Sequence, residues 1–196
     1  MSMGKRVSIH YTTSIRNPRF TKLGSSVIVD KDVWLHSVQP TKDESAPKLV
    51  IDDQCYIGRR SHLTAKNHVH LERDVIVGSS VLIQDHAHQY EDVTVSIREQ
   101  GLTEGGRIQI GQGSWIGQGA IIFCGRGELT LGRNCVVSAN AVVTRSFPSY
   151  SVVSGNPARV VKQFDQAKGV WTIGVNRSGG PEAAKEKVAG SGVEGF

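Results

Sequence analysis

The sequence predicts an all-β solenoid, a three-sided prism of stacked coils whose strands pair in parallel. Three observations carry this. Aliphatic residues recur at every sixth position in sets of three: Leu23, Val29, Leu35; Ile51, Ile57, Leu63; Leu71, Val77, Ile83; Ile110, Ile116, Ile122; and Leu131, Val137, Val143. The next residue is Gly, Asp or Glu in nine of these fifteen cases, among them Gly24, Asp30, Gly58 and Gly117. Four positions after the aliphatic residue a small side chain or valine is common, as at Val27, Cys55, Ser61, Val75, Ser114, Ala120, Cys135 and Ala141.

Spacing alone decides little. Ile, Leu and Val make up about a quarter of the chain, so chance supplies roughly two or three such triplets, and the neighbours make the case. A period of six is neither the 3.6 of a helix nor the 2 of a half-buried strand. It fits a chain that runs straight, turns, and does so three times per coil. One aliphatic residue per side then points into a narrow shared core. The small residue fits beside it, and Gly or Asp suits the turn backbone. Coils stack about 4.8 Å apart, and none buries its core alone. No amphipathic pattern of helical period interrupts the five recognisable coils.

Composition agrees with a single domain of ordinary globular type. The chain has 196 residues, 38% hydrophobic and 21% charged. Its longest purely apolar runs are about five residues, such as Ala120 to Cys124, whereas a spanning helix needs about 20, so integral membrane association is excluded. The N-terminus leads into polar residues with no apolar region of signal-peptide type. Three scattered cysteines without a CxxC support neither a disulfide framework nor a zinc site, and a cytoplasmic location is expected. Cys55 and Cys135 occupy small-residue places and read as core filler.

The net charge of +5 is uneven. Residues 1–22 hold Lys5, Arg6, Arg16, Arg19 and Lys22 with no acid, and are expected to form a basic N-terminal arm outside the helix. No RNP-type or zinc-finger pattern points to nucleic acid. The helix is expected over 23–147, interrupted by inserted loops at 36–50 and 84–107, then a closing segment at 148–164. A Gly-rich tail at 165–196 includes a charged stretch, 181–188, of helical character, and Val170 to Ile173 are placed to dock on the body. A 24-residue excursion from a regular solenoid is usually functional.

The long loop opens Asp85-His86-Ala87-His88-Gln89-Tyr90-Glu91-Asp92. Two histidines beside three carboxylates suit either a general base oriented by an acid or metal ligation. Asp85 and Glu91 are candidate orienters through the second ring nitrogen, with loop-capping or solvated carboxylates as the plainer reading. The repeat then ends in Ser138-Ala139-Asn140-Ala141-Val142-Val143-Thr144-Arg145, followed by Gly155-Asn156-Pro157-Ala158-Arg159-Val160-Val161-Lys162.

Over residues 23–164 these features resemble the hexapeptide-repeat acyltransferases, the branch of galactoside, maltose and polysaccharide O-acetyltransferases in particular. The resemblance implies a left-handed parallel β-helix, a handedness that the repeat count does not show and that departs from the usual crossover rule. It implies acetyl-CoA as co-substrate, no metal, a homotrimer, and a hydroxyl of a sugar or glycan as acceptor, such as a cell-surface polysaccharide precursor. It places His86 at the general base. Trp115, Gln118, Ala139, Arg145, Arg159 and Lys162 fall where coenzyme A binds, the basic ones suited to its 3′-phosphate. Asp85, His88 and Tyr90 are carried as candidates for the acceptor side. The N-terminal segment lacks the longer helical region of the maltose and galactoside enzymes.

Three other functions share the fold. The xenobiotic branch acetylates antibiotics with the same base. Gamma-type carbonic anhydrases bind metal through three histidines across an interface, and His62, His68, His70, His86 and His88 are numerous enough to raise that reading, although their spacing does not match it. A trimeric scaffold without turnover is the third.

Overall fold

A computed structural model describes residues 1–38 and 46–173 as one continuous prism. Six coils of three short strands each make its body. The first has β1 (Ser2–Met3), β2 (Ser8–Ile9) and β3 (Ser14–Arg16); the second β4 (Thr21–Leu23), β5 (Ile28–Val29) and β6 (Trp34–Ser37). The third has β7 (Leu49–Ile51), β8 (Tyr56–Ile57) and β9 (His62–Ala65); the fourth β10 (His68–Leu71), β11 (Ile76–Val77) and β12 (Leu82–Gln84). The fifth has β13 (Gly105–Ile110), β14 (Trp115–Ile116) and β15 (Ile121–Phe123); the sixth β16 (Arg126–Leu131), β17 (Val136–Val137) and β18 (Val142–Val143). β19 (Ser151–Ser154), β20 (Arg159–Asp165) and β21 (Val170–Ile173) follow.

The first strands of the coils stack into one sheet, face A, the second strands into face B and the third into face C. All pairing within the six coils is parallel and in register, so Val29, Ile57, Val77, Ile116 and Val137 form one continuous row. The fold is a left-handed parallel β-helix. Every aliphatic residue of the five triplets is buried, and the small residues at the fifth place, Cys55, Ser61, Ala120 and Cys135 included, are buried beside them.

Residues 1–22 are not a separate arm. Met3, Ile9 and Ile15 continue the six-residue spacing, and β1, β2 and β3 pair in parallel with β4, β5 and β6. Methionine in the first place, and a coil end that leaves Met3 exposed, hide this coil from an aliphatic repeat count. The other end also differs from the expected boundary. β19 adds to face B, the chain reverses through Gly155, Asn156 and Pro157, and β20 and β21 form an antiparallel hairpin beside it. Val170 to Ile173 thus extend the sheet as its last strand. The rest of the expected tail, including 181–188, and part of the first inserted loop lie outside the described residues.

The glycine after the aliphatic residue has a different cause from the one expected. A left-handed backbone occurs two residues later, at Ser26, Asp32, Gln54, Arg60, Asp74, Ser80, Asn134 and Asn140. What the glycine avoids is the next coil. A Cβ at Gly58 would lie 2.6 Å from the Gly78 backbone, and one at Gly117 would lie 2.6 Å from the Ala139 nitrogen. At these glycines the turns stacked one coil apart leave no room for a side chain, whereas Asp30, Asp52 and Glu72 carry one at the same place of other coils.

This separation of causes predicts opposite outcomes at neighbouring positions. Gly58→Ala should destabilise the protein by about 1–3 kcal/mol through overpacking against backbone. Arg60→Gly, at φ 58°, should change stability by less than about 1 kcal/mol, since relief of left-handed strain offsets the entropy of glycine. Urea unfolding midpoints of the two variants check this.

Candidate active site

The site forms where face C turns toward face A at the end of the fourth coil. β12 ends at Gln84, and the next two residues are the buried pair Asp85 and His86. Asp85 is 0% exposed. Its Oδ1 accepts the backbone N–H of Lys66 at 2.7 Å, and its Oδ2 accepts those of Asn67 at 2.8 Å and His68 at 2.9 Å. These donors come from the same turn one coil below. The fourth donor is His86, whose Nδ1 lies 2.8 Å from Asp85 Oδ1. A carboxylate accepts and does not donate, so the proton of this bond sits on Nδ1, and Nε2 is the acceptor of the neutral ring. The His86 side chain is 11% exposed.

The loop is closed at its base by backbone. Thr103 N–H donates to Ala87 O at 2.8 Å, Gln89 N–H to Gly101 O at 3.0 Å, and Gly106 N–H to Asp85 O at 2.6 Å. Lys66 Nζ donates to Thr103 O, and Gln84 Nε2 to His86 O at 2.6 Å. A short helix, α1 (Ile97–Gln100), with a capping box between Ser96 and Glu99 lies within the loop. His86 is therefore fixed through its ring, its carbonyl and both strands of the loop base.

Several site residues fall elsewhere than the sequence indicated. Asp85, carried for the acceptor side, is wholly enclosed and its oxygens are taken by four donors, so it positions His86 and is out of a ligand's reach. Of the plainer reading, the solvated carboxylate falls for the same reason, while the capping carboxylate holds, since Asp85 takes the backbone N–H groups of Lys66, Asn67 and His68. Glu91 accepts the N–H of its neighbour Tyr90 at 3.0 Å, well out on the loop. His88 and Tyr90 are exposed, with His88 bridged through its backbone to Leu102. Trp115 stands 53% exposed on face B. Gln118 and Ala139 are exposed on the turns from face B to face C. Arg145 lies at the turn after β18, its guanidinium 5.2 Å from the Phe147 ring. Arg159 and Lys162 lie on β20, with Arg159 Nη1 donating to Ala158 O at 2.9 Å.

The prism thus brings together His86, Asp85, Gln84 and Thr64; of the coenzyme candidates Arg145 shares their edge two coils further on, and Gln118 and Ala139 do not. The turns bearing Gln118 and Ala139 are a face width from His86, about six extended residues or on the order of 20 Å. Thr64 and Gln84 are outward neighbours in register on face C. Sequence reading passed over both. The signal was present: Gly, Asp or Glu never follows the aliphatic residue of the third place, where Thr64 and Gln84 stand. The histidines of the metal reading are scattered, His62 on face C and His68 and His70 on face A. Among the described residues no group of three His, Cys, Asp or Glu side chains is placed to hold a metal. His70 Nε2 is instead bonded to Asp52 at 2.8 Å. Burial holds the Cys55 thiol up at about 12 and raises those of Cys124 and Cys135.

The fold and this edge site resemble those of the hexapeptide-repeat acyltransferases, and comparison with known proteins bears out the resemblance. A protein of Mycobacterium tuberculosis named as an acetyltransferase, Rv3034c, is 28% identical over 161 residues, covering 82% of this chain and 49% of that protein. WbbJ of Escherichia coli, named for O-acetyl transfer in lipopolysaccharide biosynthesis, is 27% identical over 63% of this chain and 64% of its own length. A chloramphenicol acetyltransferase of Agrobacterium fabrum is 32% identical over 63% of this chain and 56% of its own length. The chain spans about half to two thirds of these relatives. Among solved structures, the N-acyltransferase AntD from Bacillus cereus, in complex with dTDP and 3-hydroxybutyryl-CoA, superposes with a TM-score of 0.68 at 21% identity, covering 85% of both chains. A maltose O-acetyltransferase from Clostridium difficile gives 0.53 at 23% identity, covering 84% of this chain and 70% of that one. No family model matches the chain. No helix of the described residues is long and apolar enough to cross a membrane.

Removing the Asp85 carboxylate tests the geometry. Asp85→Ala leaves three buried backbone N–H groups without an acceptor, at about 1–3 kcal/mol each. Chemical denaturation should show a loss of at least about 3 kcal/mol, against less than about 1 kcal/mol for Glu91→Ala.

Proposed function

We propose that this protein is an acetyl-CoA-dependent O-acetyltransferase that acylates a hydroxyl of a sugar or glycan, with His86 as general base. The observation that carries the reading is the His86–Asp85 pair: an imidazole held by a buried carboxylate through Nδ1, which leaves Nε2 as the second ring nitrogen at a loop-covered edge of a β-helix. An alcohol is a poor nucleophile near neutral pH and needs its proton taken as it attacks. His86 Nε2 accepts that proton while the hydroxyl oxygen bonds to the thioester carbonyl carbon. The carbon–sulfur bond breaks and the thiolate leaves with the proton returned by His86, so the products are the acetyl ester and free thiol. Asp85 keeps the ring in the right tautomer and stabilises the imidazolium. The same kinship of sequence includes a chloramphenicol acetyltransferase, but the N-acyltransferase neighbour is crystallised with a sugar-nucleotide moiety, dTDP, and the acceptor cluster described below favours a sugar.

We assign Trp115, Gln118, Ala139, Arg145, Arg159 and Lys162 to coenzyme A, and His88 and Tyr90 to the acceptor side, within a homotrimer. Two observations support the trimer. Gln118 and Ala139 lie a face width from His86 on one prism, so a neighbouring copy must bring them to it, whereas Arg145 stands on the same edge as His86, two coils further on. Face B also carries an apolar row in register, Ile28, Tyr56, Ile76 and Trp115, exposed by 48%, 36%, 49% and 53%. Contiguous exposed apolar surface of this kind marks interfaces. A cytoplasmic location, where acetyl-CoA is made and thiols stay reduced, completes the reading.

Saturating acetyl-CoA should raise the thermal unfolding midpoint; binding at 100 times the dissociation constant adds about 2.7 kcal/mol. His86→Ala should keep that shift and lose acetyl transfer by about 10²- to 10⁴-fold. Absence of a shift at millimolar ligand overturns the reading. Sedimentation equilibrium should return three copies per particle, and Ile76→Asp should lower that number.

A further inference from the structure

The outer surface of face C carries a second group of residues that leads to His86. One place beyond the inward aliphatic residue of each coil stand Arg16, His36, Thr64 and Gln84, in register from the first coil to the fourth. Gln84 is the residue that holds the His86 carbonyl. In the adjoining outward row stand Trp34 and His62. The Trp34 ring is the centre of the group. It stacks on His36 at 5.2 Å and 26°, meets His62 edge-on at 5.4 Å, and has the Arg16 guanidinium 5.7 Å from its centroid.

Three features of this group point to a ligand. Among the described residues Arg16 has no carboxylate partner, so its charge is left uncompensated beside the His36 imidazole. Thr64 is 5% exposed, and its Oγ1 has no hydrogen-bond partner; a buried hydroxyl left so is costly. It sits in register between His36 and Gln84, on the line from the cluster to the base. Burial first, then Arg16 and His86, holds the His36 imidazole below its ordinary value. It is therefore neutral near pH 7 and offers one N–H donor while one of its neighbours already carries a full positive charge.

We propose that this surface binds the acceptor, and that the acceptor is a sugar carrying a phosphate ester: the phosphate meets Arg16 and His36, and the sugar hydroxyl reaches His86. This deepens the acyl-transfer reading and rests on it. A guanidinium with an imidazole beside it in register offers N–H donors suited to the oxygens of a phosphate. The indole supplies an apolar wall beside it for the C–H face of a sugar ring. The scale also fits. Arg16 and Gln84 are three coils apart, about 14 Å at the spacing of stacked strands. A neutral monosaccharide at His86 covers Thr64 and stops short of Arg16, whereas a phosphorylated or nucleotide-linked sugar spans the interval.

The test follows the histidine ring signals of the full chain by NMR during titration with α-glucose 1-phosphate, UDP-glucose, inorganic phosphate and glucose. Saturable shifts of the His36 signals with both phosphorylated sugars, and none with glucose at about 10 mM, are expected. Tighter binding of UDP-glucose assigns a nucleotide-linked acceptor, and equal binding a single phosphate. Arg16→Gln, at an exposed position, should weaken both phosphorylated sugars roughly 10- to 100-fold without moving the unfolding midpoint. His36→Gln should weaken them in the same direction. Three results overturn the proposal: no shift with either phosphorylated sugar, shifts unaltered in Arg16→Gln, or inorganic phosphate binding as tightly as the sugars. Acetylation assays separate its failure from that of the acyl-transfer reading. Acetylation of glucose that depends on His86 and is indifferent to Arg16→Gln leaves acyl transfer standing and removes the phosphate site. Binding of sugar phosphates without acetylation of any of them does the reverse.

Discussion

Neighbouring coils of this prism are about one strand spacing apart along their whole length, turns included. That closeness is the constraint on which the rest of the structure depends. Within the strands it is met by parallel hydrogen bonds, which any sequence can make. At the turns it is met by chemistry, since a Cβ pointing along the axis would enter the backbone of the next coil, as at Gly58 and Gly117. The same spacing puts equivalent residues of successive coils in contact, so rows and not single residues are the units of packing. Inward rows of Ile, Leu and Val make the core. Outward rows become surfaces of one character, apolar on face B and aromatic with cationic groups on the lower part of face C.

The site grows out of a break in that regularity. After the fourth coil the chain leaves the prism for the long loop, and the turn that would have continued the stack is replaced by Asp85 and His86. The turn one coil below then has three N–H groups, of Lys66, Asn67 and His68, facing a missing strand partner. The Asp85 carboxylate answers all three and still bonds the imidazole. One side chain thereby closes the prism where the loop departs and fixes the tautomer of the ring beside it. The donors that hold it belong to the scaffold, so the residue proposed to orient the base also closes the prism.

In a single prism His86 and Arg145 share the edge where face C turns toward face A, whereas Gln118 and Ala139 stand on the edge between faces B and C. In the trimer proposed above, a second copy sets one edge against the other, with the apolar row on face B as the surface for that contact. The acceptor cluster proposed above lies on face C, the face of the strand that leads into His86.

Much of this was fixed by local sequence. The six-residue period, the small fifth residue and the glycines give the coil, its core and its turns, because each is a demand that a coil makes on its immediate neighbours. The loop that carries His86 is legible for the same reason, as a break in the period. Tertiary structure decided what depends on residues brought together from different coils. It folded residues 1–22 into a first coil, whose methionine and exposed end mask the pattern. It moved Asp85 from the surface to the interior, since the three donors that bury it lie 17 to 19 positions back in the chain. It gathered Arg16, Trp34, His36, His62 and Thr64, which no short motif connects, on one face. Register is a property of stacked coils, and a row becomes visible only when the coils are stacked.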